Sequence, residues 1–438
     1  MKNLLYLLLS LLSVPTHGQN IFTVVGGGAG CYDCPATNAR LSEPRGIAID
    51  DTGNLYIRDD GQCRVLRVRP AIHGIFSRFA GDGTNGYSGN GSPAVGATIR
   101  TGSYVGTGHK GEVYVPDIHR LRKVTPDGII HTIAGTGMAG YNGDGIPATA
   151  AMINVVRGVV TDDTGNVYFV DGVNQRIRRI DTFGIITTFA GTGVTGYSPD
   201  GSRADTVKFN NISMLAIDKT NNQYYYDNKR IRKIDAVTHL ITTITGTGVA
   251  GFSGDNGPAT AAQIEGGGIA IDTSGNLFFA DVTNFRIRKV DTDGIITTIA
   301  GIGTSIFSGD GGPATAAGLK FAQMVAVNEE GDIFLADDLC QRVRVITHKP
   351  LQVTEQGYPA ATLKIAPNPT SGNYSITVYS LFREEVEIVV TDITGKEVLR
   401  NKLYTNSPIQ LLNQLMPGHY VVTAQTKDRQ MKETLIVR

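Results

Sequence analysis

Hydrophobic and polar positions alternate in short runs through most of the chain, and turns rich in glycine and aspartate separate the runs. Residues 267–301 read GGIAIDTSGNLFFADVTNFRIRKVDTDGIITTIAG. Period-two alternation bounded by turns such as Ser274-Gly275 and Asp293-Gly294 is typical of half-buried strands. The stretch predicts four strands, 268–272, 276–281, 286–290 and 295–301.

The same pattern recurs along the chain. Each copy contains a glycine-rich segment, and the anchoring glycines are Gly26, Gly81, Gly135, Gly191, Gly246 and Gly301. Their spacings are 55, 54, 56, 55 and 55 residues. A period of this length with four antiparallel strands per copy is typical of a β-propeller. The sequence therefore predicts an all-β fold, a six-bladed β-propeller over residues 19–349.

One glycine-rich segment, GTGMAG at 135–140, matches the spacing of a dinucleotide-binding fingerprint. A true fingerprint occurs once, opens a helix and precedes an acidic residue. This one recurs at every repeat joint, so we interpret it as the connection from the outermost strand of one blade to the innermost strand of the next. The proline in GPATAA (257–262 and 312–317) predicts a short helical turn within that connection.

The last copy ends after its third strand, RVRVITH at 342–348. The segment NIFTVVGG at 20–27 supplies a spare strand. We expect it to complete the sixth blade, because closure removes the open sheet edges between the first and last blades.

The repeated units GIAID..GNLFFAD...N.RIRKVD..G.ITTIAG resemble the NHL-repeat family of six-bladed propellers over residues 20–349. The resemblance implies the fold and leaves the activity open, since NHL proteins include lyases as well as protein- and RNA-binding modules. The balance of 40 basic and 40 acidic residues does not favour a nucleic-acid partner.

The two ends of the chain predict export. Residues 1–18 contain Lys2, an apolar run and small residues near Gly18, as a secretory signal peptide does; a short membrane anchor is the alternative. Residues 350–361 form a predicted linker, and 362–438 alternate as a small Ig-like β-sandwich would. APNPTSG, DITGKEV, LMPGHYVV and the end KETLIVR resemble the type A sorting domain of the type IX secretion system of Bacteroidota.

That resemblance implies passage through the periplasm, contact with the type IX machinery, and attachment to the outer surface or release. The alternative is an ordinary Ig-like binding module. In an oxidising compartment the four cysteines Cys31, Cys34, Cys63 and Cys340 are able to pair. Their loops converge on the seam between blades one and six, and we expect two disulfides there. The connectivity stays open, and a zinc site with four cysteine ligands is the rival, because Cys31 and Cys34 have ligand spacing.

Three sets of side chains recur with the repeat. Aspartates end the second strands, each followed by an arginine: Asp59, Asp117, Asp171, Asp227, Asp281 and Asp337, with Arg64, Arg120, Arg176, Arg230, Arg286 and Arg342. The glycine-rich segments carry an aromatic residue: Tyr32, Tyr87, Tyr141, Tyr197, Phe252 and Phe307. Recurrence favours scaffold roles, ion pairs and rings that fix their own loops, over a ligand-binding ring of charges or aromatics.

Metal and catalytic sites have weaker signals. Asp144, Asp255 and Asp310 lie in oxygen-rich glycine loops that could hold calcium, although one carboxylate per loop favours turn capping. The histidines do not converge: His73, His109 and His239 fall in turns on one face, His131 in an outer strand, and His119 on the glycine-loop face.

These features predict an exported, non-catalytic propeller that binds an extracellular protein, peptide or glycan on its glycine-loop face. The most divergent stretches, TGSYVGTGHKGEVYVPDIH in blade two and NNQYYYDNKR in blade four, are the expected specificity loops. The rival is an exported lyase or hydrolase with its site at the central channel.

Overall fold

A computed structural model describes residues 19–28, 34–69, 74–102, 104–348, 362–366, 374–379, 385–404, 409–411, 415–425 and 430–437. The predicted signal peptide (1–18), the predicted linker (350–361) and three of the sequence-predicted side chains, Cys31, Tyr32 and His73, lie outside these residues.

From Asn20 to Thr347 the described residues form six antiparallel sheets, numbered in chain order. The first strand, β1 (Asn20–Gly26), belongs to sheet 6. Sheet 1 contains β2 (Cys34–Pro35), β3 (Pro44–Ile49), β4 (Leu55–Asp59), β5 (Arg64–Arg69) and β6 (Ile75–Ala80). Sheet 2 contains β7 (Ser92–Pro93), β8 (Gly106–Thr107), β9 (Val113–Pro116), β10 (Leu121–Val124) and β11 (Ile129–Ala134). Sheet 3 contains β12 (Ile146–Pro147), β13 (Val156–Thr161), β14 (Val167–Asp171), β15 (Arg176–Ile180) and β16 (Ile185–Ala190).

The remaining sheets of this region follow the same plan. Sheet 4 contains β17 (Leu215–Ile217), β18 (Gln223–Tyr226), β19 (Ile231–Ile234) and β20 (Ile241–Thr245). Sheet 5 contains β21 (Gly257–Pro258), β22 (Gly266–Ile271), β23 (Leu277–Asp281), β24 (Arg286–Val290) and β25 (Ile295–Ala300). Sheet 6 contains β26 (Ala322–Val327), β27 (Ile333–Asp337), β28 (Arg342–Thr347) and β1.

The strands of sheet 5 fall where the alternation predicts them, within two residues at each end. All five residues of β23 are buried, because this second strand is covered on both faces. Nine short 3₁₀ turns accompany the described strands: Ala36–Asn38, Asp60–Gln62, Ala94–Gly96, Ala148–Ala150, Ala204–Thr206, Ala259–Ala261, Val282–Asn284, Ala314–Ala316 and Asp338–Cys340. The predicted turns after Pro258 and Pro313 are confirmed.

The six sheets are neighbours in a circle. The innermost strands β3, β8, β13, β17, β22 and β26 contact one another in that order, and β26 contacts β3 again. One buried hydrophobic cluster fills each junction. The cluster between sheets 6 and 1, for example, joins Phe334 and Val343 to Leu55 and Phe76.

The amino-terminal strand closes this circle, as predicted. β1 pairs antiparallel with β28, in a register that places Phe22 opposite Val345 and Gly26 opposite Arg342. Its other edge bonds to the preceding glycine loop, where Ile21 N–H donates to Gly312 O at 3.0 Å. Both edges of the strand are therefore occupied.

The carboxyl-terminal region forms two further sheets. One contains β29 (Thr362–Ala366), β30 (Tyr374–Tyr379) and β33 (Ile409–Leu411); the other contains β31 (Glu385–Asp392), β32 (Glu397–Tyr404), β34 (Gly418–Gln425) and β35 (Gln430–Val437). Both contribute to one hydrophobic cluster, with Ile376 from the first sheet and Ile388, Val422 and Leu435 from the second. Among the described residues of the chain, no helix has the length and apolarity needed to cross a bilayer.

Candidate functional site

The segments that lead from the outermost strand of one sheet to the innermost strand of the next are here called the glycine loops: 27–43, 81–105, 135–155, 191–214, 246–265 and 301–321. Their described residues lie at the same end of the sheets as the turns between second and third strands. Gly172 N–H in such a turn donates to Val155 O at 3.0 Å, and Val282 N–H donates to Glu265 O at 2.8 Å. This end is the glycine-loop face.

The aspartates at the ends of the second strands fix the glycine loops. Each is buried, and each accepts a hydrogen bond from a backbone N–H that lies shortly before the innermost strand of its own sheet. Asp171 accepts from Asn154 at 2.7 Å, and Asp227 accepts from Asn210 at 2.6 Å. The other four acceptors are Asp59, Asp117, Asp281 and Asp337. Burial raises the pKa of Asp227 to about 7.

The predicted pairing of these aspartates with the next arginine holds only in sheet 1, where Arg64 lies 2.7 Å from Asp59. In the other sheets that arginine stacks on the aromatic ring of the glycine loop that leads into its sheet. The distances from guanidinium carbon to ring centroid are 3.8 Å for Arg120–Tyr87, 3.9 Å for Arg176–Tyr141, 4.9 Å for Arg230–Tyr197, 3.7 Å for Arg286–Phe252 and 4.3 Å for Arg342–Phe307. These rings hold their own loops, as the scaffold interpretation expects.

The same arginines also bind the loop that leaves the sheet. Arg120 donates to Thr136 O at 2.8 Å, and Arg176 donates to Thr192 O at 2.9 Å. The recurring Gly-x-Gly gives the guanidinium room: a Cβ on Gly137 would lie 2.1 Å from Arg120 Nη2, and one on Gly193 would lie 2.1 Å from Arg176 Nη1. The motif that resembles a nucleotide fingerprint therefore makes space for an arginine.

A second arginine, two residues further along, is the one that sequence reasoning missed. Arg122, Arg178, Arg232, Arg288 and Arg344 are fully or almost fully buried. Arg178 and Arg288 pair with the strand-two aspartates Asp171 and Asp281 at 3.4 and 3.1 Å. The sequence feature that could have revealed this second arginine is the Arg-x-Arg spacing in the third strands. Side chains two residues apart in a strand lie on one face, so both arginines face the same side of the sheet.

These buried arginines change the interpretation of the predicted calcium ligands. Asp144 lies 2.9 Å from Arg178, Asp255 lies 2.9 Å from Arg288, and Asp310 lies 2.7 Å from Arg344. Asp200 makes the same pair with Arg232 at 2.6 Å. Sheets 3, 4, 5 and 6 therefore contain one such pair each, and the carboxylate neutralises the guanidinium. Because the guanidinium is already a positive charge at hydrogen-bond distance, binding of a further cation to the carboxylate is disfavoured. Within the described part of the chain, no three His, Cys, Asp or Glu side chains are grouped to hold a metal.

The predicted seam disulfides do not appear among the described residues. Cys63 and Cys340 are buried free thiols, so the pairing of these two residues, one of the connectivities that the sequence leaves open, is absent. Burial and the neighbouring Asp337 raise the pKa of Cys340 to about 12, and burial raises that of Cys63. The structure does not describe Cys31 or the side chain of Cys34.

Four described histidines, His109, His119, His131 and His239, lie where the sequence predicts, and they share no site among the described residues. His119 is on the glycine-loop face, where its Nδ1 lies 3.4 Å from Val155 N. His109 is in a turn at the opposite end, 3.6 Å from Asp51. His239 packs edge-on against Phe189.

A central pocket of about 620 Å³ opens on the glycine-loop face. It is lined by Glu43, Arg45, Asp60, Thr101, Gly102, Tyr104, Ile118, Val155, Val156, Arg157 and Asn211. These residues come from the first four glycine loops and the adjoining strands and turns, so the pocket requires several sheets at once. Its volume is in the range of small-ligand sites.

Tyr104 extends from the second glycine loop across the centre of the ring. Its ring packs against the hydrophobic cluster of sheets 4 and 5, which includes Met214, Tyr226 and Ile269. Burial raises the pKa of its hydroxyl. This side chain belongs to the divergent stretch that was predicted as a specificity loop, and it lines the pocket while packing against sheets 4 and 5.

The pocket rim holds strained backbone. Glu43, Ile118, Val155 and Asn211 all have positive φ, between 53° and 67°. For the β-branched residues Ile118 and Val155 this conformation is a true outlier. Strain of this kind costs about 1–3 kcal/mol per residue and concentrates at functional sites.

Charges are unequally distributed around the pocket. Arg45 lies 3.1 Å from Glu43, 3.7 Å from Asp60 and 3.3 Å from Asp338, which links sheets 1 and 6 on the inner side of the seam. Asp60 also pairs with the fully buried Arg58 at 3.2 Å. Sheet 1 differs from the other sheets here, because Leu66 occupies the position of the buried third-strand arginine.

A second cavity of about 590 Å³ lies at the opposite end, between sheets 2 and 3. Its wall includes Asp162, whose carboxylate holds the turn formed by Thr164 and Asn166. Asp50 and Asp218 hold equivalent turns in other sheets. These polar groups have repeated scaffold roles, so the cavity is a weaker candidate for a ligand site.

Comparison with known proteins agrees with the architecture. The secretion system C-terminal sorting domain family matches residues 364–438. The teneurin NHL domain family matches residues 138–198 and 249–308. Teneurin-1 of Mus musculus is 25% identical over 427 residues, which cover 86% of this chain and 15% of the teneurin. The chain thus spans a small part of the length of such relatives.

Solved structures show the same fold. An auxiliary nutrient binding protein from Bacteroides thetaiotaomicron has a TM-score of 0.54 and 15% identity, over 75% of this chain and 76% of that one. A protein of unknown function from the same bacterium has a TM-score of 0.54 and 17% identity, over the same shares. The sorting domain directs export to the cell surface or beyond it. The circular sheets and these matches together identify the chain as an NHL-repeat β-propeller with a type IX secretion sorting domain at its carboxyl end.

Proposed function

We propose that this protein is an exported, non-catalytic binding protein whose ligand, an extracellular protein, peptide or glycan, docks in the central pocket. The observation that carries this proposal is that the side chains lining the pocket are not repeated from sheet to sheet. The lining includes Arg45 and Tyr104, whereas the recurring strand-two aspartates and the arginines stacked on aromatic rings are not part of it. Active and binding sites break internal symmetry, whereas scaffold contacts repeat it.

The arrangement of the loops supports this location. The glycine loops are fixed by buried aspartates and by arginine–aromatic stacking, so the side chains that they present are held on a rigid frame. Rigid support lowers the entropy lost on binding. The nutrient-binding protein that shares the fold is compatible with such a role.

The finer architecture is part of the proposal. We take the six sheets as the blades of a six-bladed propeller and the two carboxyl-terminal sheets as an Ig-like sandwich. Residues 1–18 would direct the chain to the periplasm, and 362–438 would then direct it through the type IX machinery to surface attachment or release. Fusing residues 350–438 to a signal-peptide-bearing reporter in a bacterium with this system tests the route; retention in the periplasm would contradict it.

A matched pair of variants tests the binding site. Thr101 is exposed at the pocket, and Thr84 is exposed on a glycine loop outside it. The purified protein is screened against glycan, peptide and extracellular-protein collections, and each ligand found is tested with Thr101→Trp and Thr84→Trp. We expect binding to fall at least tenfold in Thr101→Trp alone. Ligands that bind both variants equally, or no ligand in any collection, would contradict the proposal.

An exported lyase or hydrolase is the second candidate, favoured by the carboxylates beside the pocket. Glu43, Asp60 and Asp338 surround Arg45, and burial raises the pKa of Asp338. Raised carboxyl pKa values suit general acid–base chemistry. Conversion of a bound ligand that stops in Asp60→Asn would establish this activity, whereas unchanged ligand after prolonged incubation would leave the binding role.

A further inference from the structure

Two arginines occupy the same repeat position and differ in their partners. Arg45 and Arg157 are each the second residue of an innermost strand, where sheets 5 and 6 have Gly267 and Gln323. Arg45 is surrounded by three carboxylates. Arg157 instead donates to two neutral acceptors, Asn211 Oδ1 at 3.4 Å and Ile212 O at 3.1 Å.

Among the described residues, no carboxylate lies within ion-pair distance of Arg157. Its side chain is half-buried and lines the pocket. A guanidinium offers five N–H donors, and two acceptors leave donors for a further group. The Asn211 carboxamide, whose oxygen faces Arg157, has its NH₂ as an additional donor. This side of the pocket therefore suits a carboxylate ligand.

The sheet 1 side has the opposite character. This side contains three carboxylates, Glu43, Asp60 and Asp338, and two guanidiniums, Arg45 and Arg58. The excess of acid there favours a cationic group, and Glu43 is the most exposed of the three, with 53% of its side chain accessible. Arg45 and Arg157 lie on the innermost strands β3 and β13, and β8 of sheet 2 contacts both strands between them.

We propose that the pocket binds a zwitterion, a short peptide with free ends, whose carboxylate is held by Arg157 and whose ammonium group lies toward Glu43 and Asp60. The inference rests on the proposed binding function and names its ligand class. A neutral glycan would offer hydrogen bonds but no charge to either side, and Tyr104 is the single aromatic residue among the described lining residues on which a sugar could stack. A polyanion would meet the carboxylates of sheet 1.

The test uses a pooled library of free tripeptides together with the same library acetylated at the amino end or amidated at the carboxyl end. Saturation-transfer NMR on the purified protein detects binders, and calorimetry measures individual peptides. We expect free tripeptides to bind, and each cap to weaken binding about tenfold or more, because each cap removes one charge. Equal binding of free and capped peptides would overturn the inference.

Single substitutions assign the two ends. In Arg157→Met, peptides with and without the carboxyl-terminal amide should bind with the same affinity. In Glu43→Gln, amino-terminal acetylation should weaken binding several-fold less than it does in the unmodified protein. Arg203→Met is the matched control, because Arg203 is exposed on the glycine loop 191–214, pairs with Asp205 and does not line the pocket. Unchanged thermal midpoints show that the variants fold. Cap sensitivity that persists in Arg157→Met would contradict the assignment.

The two proposals fail in different ways. If no tripeptide binds while a glycan or extracellular protein binds and is blocked by Thr101→Trp, the zwitterion inference is wrong and the pocket is still the binding site. If no ligand of any class responds to Thr101→Trp, the proposed function is wrong as well.

Discussion

Thr23 Oγ donates a hydrogen bond to the carboxylate of Asp310, 287 positions further along the chain, at 2.5 Å. Asp310 in turn pairs with the buried Arg344. Sheet 3 contains the same arrangement within one continuous stretch, where Thr188 donates to Asp144, the partner of Arg178. The amino-terminal strand thus reproduces in sheet 6 the side-chain contacts that the fourth strand makes in an uninterrupted sheet.

This equivalence predicts similar costs for equivalent substitutions. Asp310→Ala and Asp144→Ala each remove the glycine-loop carboxylate that pairs with a buried guanidinium, although Arg178 keeps Asp171 at 3.4 Å. Because both aspartates are partly exposed, we expect each variant to lower the free energy of unfolding by about 1–2 kcal/mol. Urea denaturation followed by circular dichroism measures the loss. A much smaller effect of Asp310→Ala would show that the seam is weaker than the other junctions.

The Gly-x-Gly motif predicts a steric effect that depends on arginine. Gly137 and Gly143 both have positive φ, but only at Gly137 would a Cβ meet Arg120. We expect Gly137→Ala to destabilise the protein by about 2–3 kcal/mol and Gly143→Ala by about 1 kcal/mol, from backbone strain alone. Thermal unfolding compares the two variants, and equal midpoints would contradict the role of the arginine.

Asp227 predicts a pH effect. Its pKa is about 7 in the folded protein and near 3.8 when unfolded, so the folded state holds the proton more tightly. The stability that this group contributes is complete below the unfolded pKa and is lost as the pH rises through the folded one. Asp227→Asn keeps an acceptor for Asn210 N–H and should stabilise the protein at pH 8, by on the order of 1–3 kcal/mol, with a smaller effect at pH 5.

Urea midpoints at the two pH values measure this difference. Asp163→Asn is the control, because Asp163 is an exposed aspartate in a turn. Equal effects of Asp227→Asn at pH 5 and pH 8 would show that the buried carboxyl does not titrate in this range.

The burial of the two thiols predicts that they react slowly with thiol reagents in the folded protein. Cys63 and Cys340 have raised pKa values and little exposure, so few thiolates form at pH 8. We expect a disulfide reagent to label both residues in the unfolded protein and to label neither appreciably in the folded one. Peptide mapping identifies the labelled sites. A disulfide that includes Cys63 or Cys340 in the exported protein would contradict the structure.

Much of the fold follows from the sequence, because local rules determine it. Alternation and glycine turns place β22 to β25, and the missing fourth strand of the last repeat points to residues 20–27. The arginine roles could not be assigned in the same way. Arg176 and Arg178 lie on one face of a strand, and only the packing of the glycine loop decides which stacks on Tyr141 and which pairs with Asp171.

The pocket was the least predictable feature. Arg45 and Arg157 begin similar stretches, RGIAID and RGVVTD, and part of the difference between them depends on residues far along the chain, Asp338 for one and Asn211 for the other. Tyr104 reaches the centre because its innermost strand is only Gly106–Thr107, a shortening that periodicity did not reveal. The position of these groups is set by tertiary packing, which no local pattern encodes.

The pocket takes its walls from separate sheets, and Arg45 joins two of them across the seam. The pocket therefore exists only in a closed ring, and amide hydrogen exchange measured by mass spectrometry tests closure most directly. Peptides covering residues 19–28 should exchange as slowly as those covering β16, the fourth strand of sheet 3. Rapid exchange of residues 19–28 beside a protected β16 would show that the amino-terminal strand does not close the ring.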